Sequence, residues 1–282
     1  MHEYSFCDSS LEKNKSDSYH LSILASRDGF SFAILDPYRS RYLAYSHVPF
    51  TMLPDDRDLP DLFEQKLKDE ELMGLDYDTV YCIICSNKST LLPAGLFRKE
   101  KIRSYFEFNH DLGDLDELHA NYLKHLDAYL VFSVYHEIAN VFARYFPKTK
   151  IFNQATPFIE DALLRKDVST GLVSASFQSG YFDIIYTRGK ELILHNNFTY
   201  RSPSDLIYFI IYVYDKLGLD TSSVELELSG NIDPKDTASE MIRKFIRNTG
   251  FGKASKQYGY APGFQKMHEH SYLNLCNIYH CA

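Results

Sequence analysis

The chain contains no tryptophan. It also has no apolar run approaching the roughly 20 residues a membrane-spanning helix needs. Lys and Arg total 30 against 38 Asp and Glu, a formal net charge of -8. Without a broad basic footprint, nucleic acid is not expected as a partner, nor is an anionic membrane as a general one. Residues 1–18 lack a basic start followed by an apolar stretch, so no secretory leader is read there. They are expected to form a flexible arm. The five cysteines are odd in number and follow no framework spacing. Reduced thiols and a cytoplasmic home are therefore expected.

Several chemical motifs are missing as well. Gly250-Phe251-Gly252-Lys253-Ala254-Ser255 lacks the first glycine of a phosphate loop, has Ala where Ser or Thr should meet magnesium, and follows a helical pattern instead of a strand. Cys82 and Cys85 lie three apart in a strand-like run, which sends them to opposite sheet faces. They read as core thiols. His136-Glu137 lacks the second histidine of a zincin.

What is present is ordinary globular material, 45% hydrophobic and 24% charged, with a rich supply of Tyr and Phe that suits strands. A length of 282 residues accommodates two domains of about 100–150 residues. The order of elements repeats across them. Leu21, Ile23 and Ala25 alternate, Asp28-Gly29 reads as a type I′ hairpin turn, and Phe30, Phe32 and Ile34 alternate again. Tyr42 to Val48 is a third strand. A helical pattern follows through Leu62, Phe63, Lys66 and Leu67, with Asp58 as N-cap and Pro60 in its first turn. Val80 to Cys85 is a strand buried on both faces.

The second copy begins near Leu172. Strands Leu172–Phe177, Tyr181–Thr187 and Leu192–Tyr200 precede a helix that starts at Ser202-Pro203 and stops at Gly218. Its apolar residues lie on nearly all sides, so it is expected to be sandwiched. Val224–Leu228 is the next strand, and Ser229-Gly230-Asn231 turns into a helix from about Asp236 to Arg247.

Three antiparallel strands, a helix and a strand parallel to the first form the ribonuclease H-like arrangement, with a mixed sheet flanked by helices. Two copies in one α/β chain resemble the actin-like ATPase superfamily. More closely, Lys88 to Phe97 and Ser229-Gly230-Asn231-Ile232 resemble an uncharacterised bacterial family of that fold. The resemblance runs from about Tyr19 to Asn248. It implies an arm over 1–18, a first lobe over 19–165, and a second lobe with a C-terminal tail over 166–282.

The resemblance also places a cleft between the lobes, where relatives hold ATP and magnesium. Each lobe would offer an Asp-x-Gly hairpin to metal and phosphate. Here the first hairpin holds Asp28 and Gly29 side by side. The second holds Ser179 and Gly180, with no acid until Asp183. Bulky Phe30 and Tyr181 follow the glycines. Ser229, Gly230 and Asn231 match the adenosine-binding turn, with one glycine where two are usual. A backbone need for glycine accounts equally for that turn. These seven residues are the cofactor-site candidates, and no catalytic residue is assigned.

The expected function is a non-catalytic actin-like module that binds another protein and needs no cofactor. Two alternatives stay open. One is a nucleotide-dependent switch that uses degenerate phosphate loops. The other is a zinc-bound structural protein, because His268, His270, Cys276, His280 and Cys281 are ligands zinc accepts. Packing of the tail through Tyr272, Leu273, Leu275, Ile278 and Tyr279 is the competing reading.

Overall fold

The computed structural model describes residues 3–50, 57–165 and 171–281. In chain order the strands and helices begin with β1 (Tyr4–Cys7), β2 (His20–Ser26), β3 (Gly29–Asp36), β4 (Arg41–Pro49), α1 (Leu59–Asp69) and β5 (Thr79–Ile84). Next come β6 (Ser89–Pro93), α2 (Ile102–Glu107), β7 (Asp116–Leu123), β8 (Ala128–Tyr135), α3 (His136–Tyr145), β9 (Lys150–Asn153) and α4 (Ala155–Leu164). The second half holds β10 (Leu172–Gln178), β11 (Tyr181–Arg188), β12 (Glu191–Thr199), α5 (Pro203–Lys216) and β13 (Glu225–Gly230). It closes with α6 (Thr237–Phe245), β14 (Thr249–Phe251), β15 (Gly259–Tyr260) and α7 (Leu273–Asn277).

The expected repeat is present. One sheet runs β4-β3-β2-β5-β9 and the other β12-β11-β10-β13-β14. In each, the first three strands are antiparallel and the last two run parallel to their neighbours. Even an irregularity recurs. The register slips between Ile34 and Leu35 in the first sheet, and between Tyr186 and Thr187 in the second. The offset is 186 − 34 = 152 residues, the same as between the sheets' first strands.

Every residue of β3 and of β10 is buried, so both faces of each sheet need cover. Phe63 and Leu67 of α1, with Ile138 and Phe142 of α3, pack on Leu21, Ile23, Phe32 and Ile34. Helices α5 and α6 cover the equivalent face of the second sheet. Between the sheets, α4 and α7 touch each other, and each packs on strands of both halves. Helix α5 starts with the expected Ser202 cap, reinforced by Asp205 in a capping box. It is not sandwiched, however: Tyr208 and Tyr212 are exposed on its outer side.

Two boundaries differ from expectation. The arm is not wholly loose, because β1 adds to the open edge of β4. Phe6 meets Phe264 edge-on at 4.9 Å, and the Tyr4 hydroxyl donates to the Gly263 carbonyl. The tail, assigned to the second lobe, crosses back to the first. There β15 pairs with Arg41 and Tyr42 of β4, next to β1 on the same edge, and Tyr260 stacks on Tyr42 at 5.4 Å. Ala261, Phe264, Tyr272, Leu275 and Cys276 then cover the free face of the first sheet around Ala33, Leu35, Tyr42 and Tyr45. The apolar face expected for the tail is real, but its substrate is the other lobe. A further three-stranded sheet, β6-β8-β7, is inserted between β5 and α3.

Ser31 and His47 face each other across β3 and β4, and their side chains hydrogen-bond at 2.7 Å. Burial pushes the His47 imidazole down to about 4. The unfolded chain takes up this proton near pH 6.5 and the native state near 4. Between those values the unfolded state binds more protons, so stability falls as pH falls through that window. The loss is on the order of 3 kcal/mol for this group. His270 and His280, also lowered by burial, steepen the slope. Urea melts at several pH values should show the loss, and His47→Gln should flatten it. A second expectation concerns the tail. Phe264→Ala should cost about 3–4 kcal/mol in the same melts, whereas a tail that is a mere appendage would leave stability unchanged.

Candidate functional site

The first two strands of each sheet end in hairpin turns that meet at the mouth between the lobes. In the first lobe Ser26 pairs with Gly29, so the central turn residues are Arg27 and Asp28. That is one position earlier than expected. Neither has a positive φ, which rules out the type I′ turn read from the sequence. Gly29 is instead the first residue of β3. A Cβ there would sit 2.9 Å from the Val48 carbonyl oxygen, so the glycine serves strand packing. In the second lobe Gln178 pairs with Tyr181 around Ser179 and Gly180, with Gly180 at φ +79°.

A cleft of about 490 Å³ opens here. Ser26, Arg27, Ser86, Lys88, Ser179 and Gly180 line it, with Tyr135 and Tyr200 among the aromatic walls. The other candidates lie elsewhere. Asp28, Gly230 and Asn231 border a separate cavity of about 40 Å³ beside His47. Ser229 is buried, and its hydroxyl donates to the Ala175 carbonyl. The seven candidates therefore split. Ser179 and Gly180 face the cleft, Asp28, Gly230 and Asn231 form a seam between the lobes, and Gly29 and Ser229 belong to the sheets.

The seam is bridged by Asp28. Asn231 Nδ2 donates to its Oδ2 at 2.5 Å, and Ser26 Oγ donates to its Oδ1 at 2.6 Å. Gly230 turns the chain toward Asn231 with φ +79°. A Cβ at that position would lie 2.3 Å from the Phe177 carbonyl oxygen, so only glycine fits.

Deeper between the lobes lies a polar network that the candidate list did not contain. Gln154, fully buried, donates from Nε2 to Asp183 Oδ2 and to the Ser86 carbonyl, both at 2.9 Å. Its Oε1 accepts from the Ser86 amide. Asn197 Nδ2 donates to Asp183 Oδ1 at 3.1 Å, and His195 Nε2 lies 3.5 Å from the same oxygen. The Cys85 thiol donates to Gln178 Oε1. Burial pushes the pKa values of the Cys85 thiol and the Tyr181 hydroxyl well above their usual ones, so both stay neutral and protonated. Asp183 is fully buried and is not among the residues that line the cleft. One sequence signal could have found it, a lone carboxylate inside an otherwise apolar strand.

Among the described residues, no three His, Cys, Asp or Glu side chains converge as a metal-binding group. The tail's soft ligands point to different places. His270 faces the Ile232 carbonyl at 2.8 Å, Cys276 is buried on the first sheet, and His280 packs against Tyr258.

Comparison with solved structures gives the fold its name. A protein of unknown function with an actin-like ATPase fold from Bacteroides thetaiotaomicron superposes with a TM-score of 0.82 at 23% identity, over 96% of this chain and 99% of that one. A chain of the PilM–PilN type IV pilus biogenesis complex matches with a TM-score of 0.62 and 9% identity, over 93% and 98% of the two chains. The ethanolamine utilization protein EutJ from Carboxydothermus hydrogenoformans matches at 0.52 and 8%, over 94% and 90%. The fold is thus that of the actin-like ATPases. A comparison with curated proteins found no match. A family model described as protein of unknown function (DUF3822) matches residues 8–249, and the chain belongs to that family.

Proposed function

We propose that this protein is a non-catalytic member of the actin-like fold that works as a binding or scaffold module for another protein. The observation that carries the reading is the commitment of its carboxylates. The hairpin acid of the first lobe, Asp28, is held by Asn231 across the lobe boundary and by Ser26 of its own hairpin. The acid of the second lobe, Asp183, is held by Gln154 and Asn197 below the surface. Magnesium needs oxygen ligands directed at it in near-octahedral geometry, and both acids turn away from the cleft. The PilM–PilN assembly supports the reading by likeness, because there a chain of this fold stands in a complex with a partner.

A second reading, a nucleotide-dependent switch, draws on the cleft itself. Its hydroxyls and the cations Arg27 and Lys88 are groups that suit an anion. A thermal-shift titration with magnesium and ATP, ADP or GTP separates the two. A site with a Kd near 10 μM, filled at about 1 mM, would add about 2.7 kcal/mol and raise Tm by a few degrees. We expect no such rise. A rise that disappears in Lys88→Ala would overturn the non-nucleotide reading.

Asp28→Ala adds an independent check. If the carboxylate is a structural bridge, its loss removes the Asn231–Asp28 hydrogen bond between the lobes and should lower stability by about 1–2 kcal/mol. A carboxylate kept for metal binding would give the opposite sign, because removing strained functional groups commonly stabilises. Chemical denaturation of the two proteins distinguishes these outcomes.

A further inference from the structure

The inserted small sheet carries a surface tip that the two-lobed core does not account for. After β6, residues 94–96 and 99–101 form two short 3-10 turns that lead into α2. The tip is firmly held from inside. Phe97 stacks on Tyr129 at 4.0 Å, Phe106 is fully buried beside His110, and the Tyr105 hydroxyl donates to the Leu96 carbonyl at 2.8 Å. On this frame Leu96 and Phe108 stand in water, 63% and 88% exposed.

Four exposed cations lie in the same segment: Arg98, Lys99, Lys101 and Arg103. Arg98 donates to the Gly95 and Phe97 carbonyls, and Arg103 pairs with Glu107 at 2.8 Å. The side chains of Lys99 and Lys101 make no hydrogen bond or ion pair among the described residues. Lys101 and Phe108 flank α2 at its two ends.

The charge distribution is lopsided. The tip, residues 94–108, carries four cations against Glu100 and Glu107, a net +2, so the rest of the chain carries −8 − 2 = −10. An anionic surface would attract the tip and repel everything else, which fixes orientation as well as contact. Exposed apolar side chains in one segment with exposed Lys and Arg match the water–lipid boundary, where cations meet phosphate headgroups and the apolar groups sit just below. We propose that this tip docks the protein peripherally on an anionic phospholipid surface. No helix among the described residues is long and apolar enough to cross a membrane, so the contact is shallow.

The absence of tryptophan makes the test direct. Phe108→Trp introduces a sole tryptophan at the tip. Its emission should shift to the blue on adding vesicles of phosphatidylcholine with roughly one quarter phosphatidylglycerol. Pure phosphatidylcholine should leave it unchanged. In vesicle co-sedimentation at about 0.1 M salt, wild-type protein should bind the anionic vesicles. Lys99→Glu with Lys101→Glu should weaken binding at least about tenfold, and Phe108→Ser should weaken it without changing the melting temperature. Binding should also weaken as salt rises to about 0.5 M. Failure of wild type to bind anionic vesicles overturns the proposal. So does binding that survives both variants, or a tryptophan signal blind to anionic lipid. If the tip instead served an acidic protein, the vesicle assays would be negative.

Discussion

The whole arrangement depends on one constraint: two sheets, each with strands buried on both faces, share a single middle layer. Strands β3 and β10 have no exposed residue, so neither sheet tolerates an uncovered side. The outer faces have helices of their own. The inner faces are covered by α4 and by the tail that ends in α7. Helix α4 brings Phe158, Ile159 and Leu163 against Ile185 of the second sheet. The tail brings Phe264, Tyr272 and Leu275 against the first. Beyond the end of α4, Arg165 ties Asp161 to Glu227 of β13. Pulling the lobes apart would expose both inner faces, at about 25 cal/mol for each Å² of apolar surface. The base is therefore a fixed joint, and only the mouth is open.

A polar seam crosses that otherwise apolar layer and gives it register. Gln154 makes three hydrogen bonds, to Ser86 twice and to Asp183 once, and Asn153 makes a further bond to the same Ser86 carbonyl. In a low-dielectric interior a network of this kind is favourable when complete and costly when one member is lost. It ties the end of β5 to the start of α4 and both to β11, so the angle between lobes follows from amide geometry as well as packing. The bonds from Gln154 and Asn197 use the lone pairs of Asp183 internally.

The strand script was legible because hairpins punctuate it and alternation marks each face; even the helix cap at Ser202 could be read. The first turn shows the limit of that reading. Asp28-Gly29 has the composition of a type I′ turn, yet pairing of Ser26 with Gly29 moves the turn back by one. Gly29 is needed because the Val48 carbonyl crowds its Cα, a fact of the third strand that the dipeptide does not carry. Strand β1 was illegible for a similar reason. Tyr4 and Phe6 alternate over four residues only, and what holds them is the edge of β4 and a ring at Phe264. The tail's apolar face was visible, but periodicity says that a face is covered and not by which sheet. At the site, Asp183 stood out in its strand, while its partners Gln154 and Asn197 lie 29 and 14 positions away with no spacing to connect them.

Glycine and carboxylate carry different information in a fold of this kind. Gly230 sits at φ +79° against the Phe177 carbonyl, so backbone geometry requires it whether or not a ligand ever approaches. The best-matched element of the nucleotide site is for that reason its least diagnostic one. A carboxylate is diagnostic through direction. To position a metal, its oxygens must face the cleft, and any protein donor that holds them elsewhere competes with the ion. Asp28 is held from both sides, by Ser26 of its own hairpin and by Asn231 of the other lobe. Turning it toward the cleft would break the bridge between the lobes and leave the Asn231 donor without that acceptor. Metal binding and lobe closure would then oppose each other at a single residue. In this fold a carboxylate that joins the lobes is poorly suited to coordinate magnesium at the same time.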